Sequence, residues 1–259
     1  MTGAIPVASA LLDQKYDHIV YTGGSHGAKF VASAAAKNLT PYTLELGGKN
    51  PCIVDTSVSD KKLELFANRI MWGKFSNAGQ ICIGSDHVIV VGSPAQEEKF
   101  LSYAKKAAVS MARGGAGMSR IVNEAHFMRL TSLLEGTRGQ VVHGGDVNRE
   151  ELRVGLTIVR DVDRNDALMG DEIFGPLLPV LRVNDLEAAI TLIRETETPL
   201  ALYFPLNTGA DLRYVFSQDR KFINTALDRC PSGSVVINDT IMQAAVPNLV
   251  TSNMKFIKP

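Results

Sequence analysis

The chain has 259 residues, 45% hydrophobic and 21% charged, which is enough apolar material for a substantial core without a metal or disulfide staple. Lys plus Arg equals Asp plus Glu at 27 each and no run of like charge stands out, which argues against nucleic acid or an anionic membrane as partner. Three cysteines, Cys52, Cys82 and Cys230, lack metal-ligand spacing; with no signal-peptide pattern and no apolar run of transmembrane length, no metal site is expected and a reducing, cytoplasmic setting is.

Residues 16–22 predict a strand, followed by Gly23, Gly24, Ser25, His26 and Gly27 and an alanine-rich helix over 28–37. Such a strand, glycine turn and helix can offer backbone N–H groups to a phosphate, although a turn of this composition also serves with no ligand at all. Residues 41–46 predict a second strand, which carries Glu45 at its end, beside Gly47 and Gly48. A carboxylate there can act as a base in a cleft, or simply be solvated. A strand over 52–54 and a helix entered through Ser57 to Asp60 lead to Trp72-Gly-Lys-Phe-Ser-Asn-Ala-Gly-Gln-Ile-Cys82. The helical pattern that starts at Leu63 and Phe66 and runs through Ile70, Met71, Lys74 and Phe75 stops before Cys82, and a β-rich run over 87–91 follows. Cys82 therefore sits at a junction among small residues, where a thiol can be reached, and is the candidate nucleophile; a buried, inert cysteine is the alternative. His87, five residues on, carries no motif with it.

Further along, the pattern predicts helices over 94–108, 124–134 and 186–195, helical turns over 210–227, and strands at 120–122, 140–143, 156–159, 178–183, 200–204 and 234–238. A glycine-rich loop at Gly114, Gly115 and Gly117 separates two of them. Alternating strands and helices of this kind indicate an α/β fold with crossovers. Asp171 and Glu172 lie beside Phe174 and a Gly175-Pro176 turn. An acid and an aromatic there suit a sugar hydroxyl and a flat ring, or plain turn chemistry.

Taken together, Tyr21-Thr-Gly-Gly, Leu44-Glu-Leu-Gly-Gly-Lys-Asn-Pro51, Gly79-Gln-Ile-Cys82, Glu172-Ile-Phe-Gly-Pro176 and Ser232-Gly-Ser-Val-Val-Ile-Asn238-Asp resemble the aldehyde dehydrogenase superfamily, over about residues 8–249. Pro199-Leu-Ala-Leu-Tyr203 and Ala244-Ala-Val-Pro-Asn248 are similar to its class 3 branch, which acts on fatty and aromatic aldehydes. The resemblance implies a partial Rossmann-like coenzyme portion at 1–46, an α/β catalytic domain at 47–240, and a divergent tail at 241–259. It implies NAD or NADP as cofactor and an aldehyde as substrate, with Cys82 as nucleophile and Glu45 as the base that activates water. Thr22, Gly23, Gly24, Ser25, His26, Gly27 and Ala28 would face the pyrophosphate, Glu172 the nicotinamide ribose, and Phe174 the nicotinamide; the Cys82 N–H would be one oxyanion donor. Relative to the family the chain is expected to be truncated at both ends, without the adenosine-binding strands, the second oxyanion donor or the oligomerisation strand, which leaves homo-oligomer formation open. Two other readings stand beside oxidation: a non-catalytic assembly partner with an exposed sheet edge, and a cofactor-independent cysteine esterase.

Overall fold

The computed structural model describes residues 3–113, 118–195, 201–204, 220–230, 234–237 and 239–242. The expected glycine-rich loop at 114–117, most of the helical turns over 210–227 and the tail from 243 onward lie outside the described residues. Two compact units form, the first reaching Gly47 and the second starting at Gly48.

In the first unit, α1 (Ile5–Leu12), β1 (Ile19–Gly23), α2 (Ser25–Lys37) and β2 (Tyr42–Leu46) follow one another. β1 and β2 pair in parallel, Thr22 opposite Glu45 and Gly23 opposite Leu46, so both strands deliver their carboxyl ends to the same edge. α2 buries Ala28, Val31, Ala34 and Ala35, the small side chains of one helical face. The helix begins three residues earlier than its alanine run suggests: Ser25, His26 and Gly27 already belong to its first turn.

The second unit carries β3 (Pro51–Asp55), α3 (Asp60–Phe75), a 3-10 turn at Ser76–Gly79, β4 (His87–Val91), α4 (Pro94–Arg113), α5 (Glu124–Gly136), β5 (Gln140–His143), β6 (Val147–Asn148), β7 (Arg153–Val154), β8 (Thr157–Arg160), β9 (Leu177–Val183), α6 (Leu186–Arg194), β10 (Ala201–Phe204), α7 (Arg220–Arg229) and β11 (Ser234–Ile237). Among the described residues seven of these strands make one sheet in the order β11-β10-β3-β4-β9-β8-β5, parallel except for the antiparallel β5–β8 pair. The fold is α/β. β6 and β7 make a separate short hairpin.

The central strands are apolar on both faces, which demands helices on both sides. From β3 and β4, Cys52, Val54, Val88 and Val90 pack with Leu63, Ile70 and Met71 of α3 and Phe100, Leu101 and Ala104 of α4. On the opposite face Ile53 and Ile89 meet Ala189, Ile190 and Ile193 of α6 and Ile223 and Ala226 of α7. Each fully buried Ile or Leu contributes about 1.5–3 kcal/mol relative to exposure. Helix starts are marked where side chains cap them: Asn123 accepts from the His126 N–H and Asp185 from the Ala188 N–H, both at 2.9 Å. Residues 120–122 do not form the expected strand. The Ile121 N–H goes to the Leu152 carbonyl and the Val122 N–H to the Gln80 side chain, so no ladder is available to them. No described helix is long and apolar enough to cross a membrane.

Candidate active site

Cys82 follows the 3-10 turn and precedes β4, in neither element, and is half-buried. The turn that delivers it runs through three left-handed residues in succession, Asn77 at φ 49°, Ala78 at 53° and Gly79 at 70°. For the two non-glycine residues this costs on the order of 1–3 kcal/mol each, so the surroundings must enforce it. A Cβ on Gly79 would lie 2.2 Å from the Gly175 carbonyl oxygen, so only glycine lets the cysteine turn and the 171–176 segment touch backbone to backbone. Ala78 shares a buried cluster with Ile173 and Leu130, which locks the same two segments from beneath.

Glu172 and Phe174 occupy that second segment, just ahead of β9. Phe174 is left-handed at φ 45°, an outlier of the kind that collects at functional positions. Arg129 of α5 donates to the Ile173 carbonyl at 2.6 Å. Burial pushes the Glu172 carboxyl up to about 7; neighbouring Asp86 adds to this, and a hydrogen bond from the Gly48 N–H opposes it.

Sequence reasoning missed the group beneath both segments. Asp86, 3% exposed, accepts from Lys49 Nζ, and its other carboxylate oxygen accepts from the Ile173 N–H at 2.9 Å. Lys49 Nζ also donates to the Asp171 carbonyl at 2.9 Å, and buried Lys74 Nζ to the Asp86 carbonyl at 3.3 Å. Burial pushes Asp86 up, but Lys49 and then Lys74 outweigh it and hold the carboxyl below its usual range. Lys74 is lowered to about 8 by burial, with Asp86 opposing, and burial lowers His87 to about 3, which keeps it neutral. Cys52, fully buried, is raised to about 12 by burial and is a core thiol. The signals for this group were thin: Lys74 falls on the apolar periodicity of α3, and Lys49 sits inside Leu44-Glu-Leu-Gly-Gly-Lys-Asn-Pro51.

In this unit Cys82, Glu172 and Phe174 therefore gather at the amino ends of β4 and β9, with Lys49 at the amino end of β3. In the first unit the structure brings together Thr22, Gly23, Gly24 and half-buried Glu45 at the carboxyl ends of β1 and β2, beside the first turn of α2. The two faces differ in chemistry. Gly24 caps α2 with no side-chain bond to the helix's first N–H groups, and a Cβ there would meet nothing within 4 Å, so this side is open to an anion. Gly23 and Gly27 are not open in this way. A Cβ on either would lie 2.4 and 2.1 Å from the Tyr21 hydroxyl, which donates to the Gly24 carbonyl at 3.3 Å, so these glycines make room for a phenol. Thr22, Ser25 and His26 are exposed and Ala28 is buried.

An α/β fold with a half-buried thiol on a left-handed turn, packed through Gly79 against the segment that carries an acid of raised pKa, has the character of a cysteine-containing catalytic centre. The aldehyde dehydrogenase family profile matches residues 2–250, and the chain belongs to that family. It is 39% identical over 251 residues to mouse "Aldehyde dehydrogenase family 3 member A2", covering 96% of this chain and 49% of that protein. To rat "Aldehyde dehydrogenase, dimeric NADP-preferring" it is 38% identical over 251 residues, covering 95% and 51%. Among solved structures, the substrate-bound state of Staphylococcus aureus AldH superposes with a TM-score of 0.84 at 33% identity, covering 95% of this chain and 51% of that one. The chain spans about half the length of the curated relatives it matches.

Proposed function

We propose that Cys82 is the nucleophile of an NAD(P)+-dependent oxidation of an aldehyde to its carboxylic acid, with Glu45 as the base. The observation that supports this reading most is the enforced left-handed turn that delivers Cys82, Asn77, Ala78 and Gly79 in succession, held against the segment that carries Glu172. The Cys82 thiolate adds to the aldehyde carbonyl, whose oxygen is protonated to give a thiohemiacetal. As the thiohemiacetal hydroxyl loses its proton to solvent, the hydride on this carbon would pass to NAD(P)+ when bound, which leaves a thioester on Cys82. Water then attacks the thioester, Glu45 takes its proton, and the thiolate departs as the acid is released. The turn at Thr22, Gly23, Gly24, Ser25, His26, Gly27 and Ala28 would receive the pyrophosphate, chiefly through Gly24 and the first N–H groups of α2, and Glu172 a ribose hydroxyl, with Phe174 against the nicotinamide. Glu172 bonds a hydroxyl better as a carboxylate, so cofactor affinity should rise with pH through about 7. A medium or long aliphatic, or an aromatic, aldehyde is the proposed substrate class. Because the thiol works only when reduced, a reducing compartment is the proposed setting.

The test follows reduced cofactor by absorbance with hexanal and with benzaldehyde. Cofactor reduction that disappears in Cys82→Ala supports the reading. No reduction by folded protein, or full activity after Cys82→Ala, would end it for this chain.

A further inference from the structure

At the amino end of β3, Gly48, Lys49 and Asn50 each hold a different piece of the site. The Gly48 N–H reaches the Glu172 carboxylate, Lys49 the Asp86 carboxylate and the Asp171 carbonyl, and Asn50 the cysteine turn itself. Asn50 is 1% exposed, and its side-chain Nδ2 donates to the Cys82 carbonyl at 2.8 Å and to the Gly84 carbonyl at 3.1 Å. Its own backbone carbonyl accepts from the Asp86 N–H at 2.9 Å and the His87 N–H at 3.4 Å. The Asn50 N–H, which would continue the β3–β4 ladder toward the cysteine, donates instead to the Gly48 carbonyl at 3.0 Å, so the backbone ladder stops at this residue. The two N–H groups of the Asn50 amide supply the missing donors.

The other end of the turn is held separately. Gln80 Nε2 donates to the Asn77 and Arg120 carbonyls at 3.1 and 3.0 Å, and its Oε1 accepts from the Val122 N–H at 3.0 Å. Between this anchor and β4, Cys82 and Gly84 are where the chain must be turned back toward the sheet, and Asn50 takes hold at both.

We infer that Asn50 is a positioning residue for the nucleophile: its two-point hold on the Cys82 and Gly84 carbonyls sets the orientation of the cysteine peptide, and through it the approach of the thiol to a carbonyl carbon. The role rests on Cys82 acting as the nucleophile. A buried amide that merely satisfied two carbonyls would affect stability alone; an orienting amide also affects reactions that demand a defined line of attack.

The experiment uses the full chain with Asn50→Asp, the same size but ionisable and short of donors, and Asn50→Ser, which keeps one hydroxyl donor and covers failure of the carboxylate to fold. Two rates are measured at Cys82. One is acylation by p-nitrophenyl acetate, in which the thiolate forms a bond to the acetyl carbon and nitrophenolate leaves; the other is alkylation by iodoacetamide, which is less demanding of geometry. Acylation should fall about 10- to 100-fold in both variants, as expected for a misplaced reacting group, while alkylation stays near the wild-type rate. Variants whose two rates keep their wild-type ratio, whatever happens to their unfolding midpoint, overturn the positioning role alone. A wild-type protein that is alkylated but never acylated removes the nucleophile and this role with it.

Discussion

Replacing Glu172 with Gln should change how the second unit's stability depends on pH, with a sign set by the burial of this carboxyl beside Asp86. Burial and the nearby Asp86 charge raise the Glu172 carboxyl from 4.5 to about 7, so the folded state holds this proton more tightly than the unfolded chain does. Its contribution is therefore fully present below about pH 4.5 and is lost as pH rises through about 7. The displacement corresponds to roughly 2 to 3 kcal/mol once residual exposure is allowed for. Gln has the same shape and does not titrate. Urea unfolding can be followed through Trp72, the chain's single tryptophan, which lies on α3 in the second unit. Wild type minus Glu172→Gln should then decline by that amount between pH 4.5 and 8. His87, held neutral down to about 3, costs stability as pH falls below its ordinary 6.5, but it is present in both proteins and cancels in the difference. A difference that is flat with pH, or that rises, would refute the buried, acid-flanked placement of Glu172.

Gly79→Ala should destabilise the second unit by about 2 kcal/mol or more, read from the urea midpoint, and slow alkylation of Cys82, because the new Cβ meets the Gly175 oxygen at a φ of 70°. Lys49→Met should cost about 3–5 kcal/mol in the same assay, since it leaves Asp86 buried with Lys74 as its remaining close cation; a loss below 1 kcal/mol would show that the pair is not desolvated. Peptide mapping after brief alkylation at pH 8 should find Cys82 labelled before Cys52 and Cys230, both of which are buried with raised thiol pKa values. In the first unit Gly27→Ala should lower the melting temperature, and the same change in a Tyr21→Ala background should cost much less, because the clash is with the Tyr21 hydroxyl.

The alternation of strands and helices was legible because central strands and amphipathic helices write different periods into the chain. Cys82 was legible for a related reason: the apolar stripe of α3 ends at Phe75 and β4 starts at His87, which leaves the cysteine between them. What periodicity conveys is burial, not partners. Lys74 continues the α3 stripe and is indeed buried, yet the carbonyl it binds belongs to Asp86, and Asp86 in turn holds an N–H 87 residues further on at Ile173. The β-branched pair at Ile121 and Val122 has strand propensity, but its N–H groups are claimed by Leu152 and by the Gln80 side chain. The start of α2 was misplaced because Gly27 reads as a turn residue, whereas it is a helical position kept small for Tyr21. The hairpin of β6 and β7, two residues per strand, is too short to leave a pattern.

Catalysis through Cys82 requires that its sulfur take up an acyl group. The direct measurement is to treat the protein with p-nitrophenyl acetate, quench in acid, digest, and locate the acetyl group by mass spectrometry. The prediction is near-stoichiometric acetyl on the peptide carrying Cys82, absent from Cys82→Ala. Acetyl absent from that peptide, or label elsewhere that persists in Cys82→Ala, would contradict it.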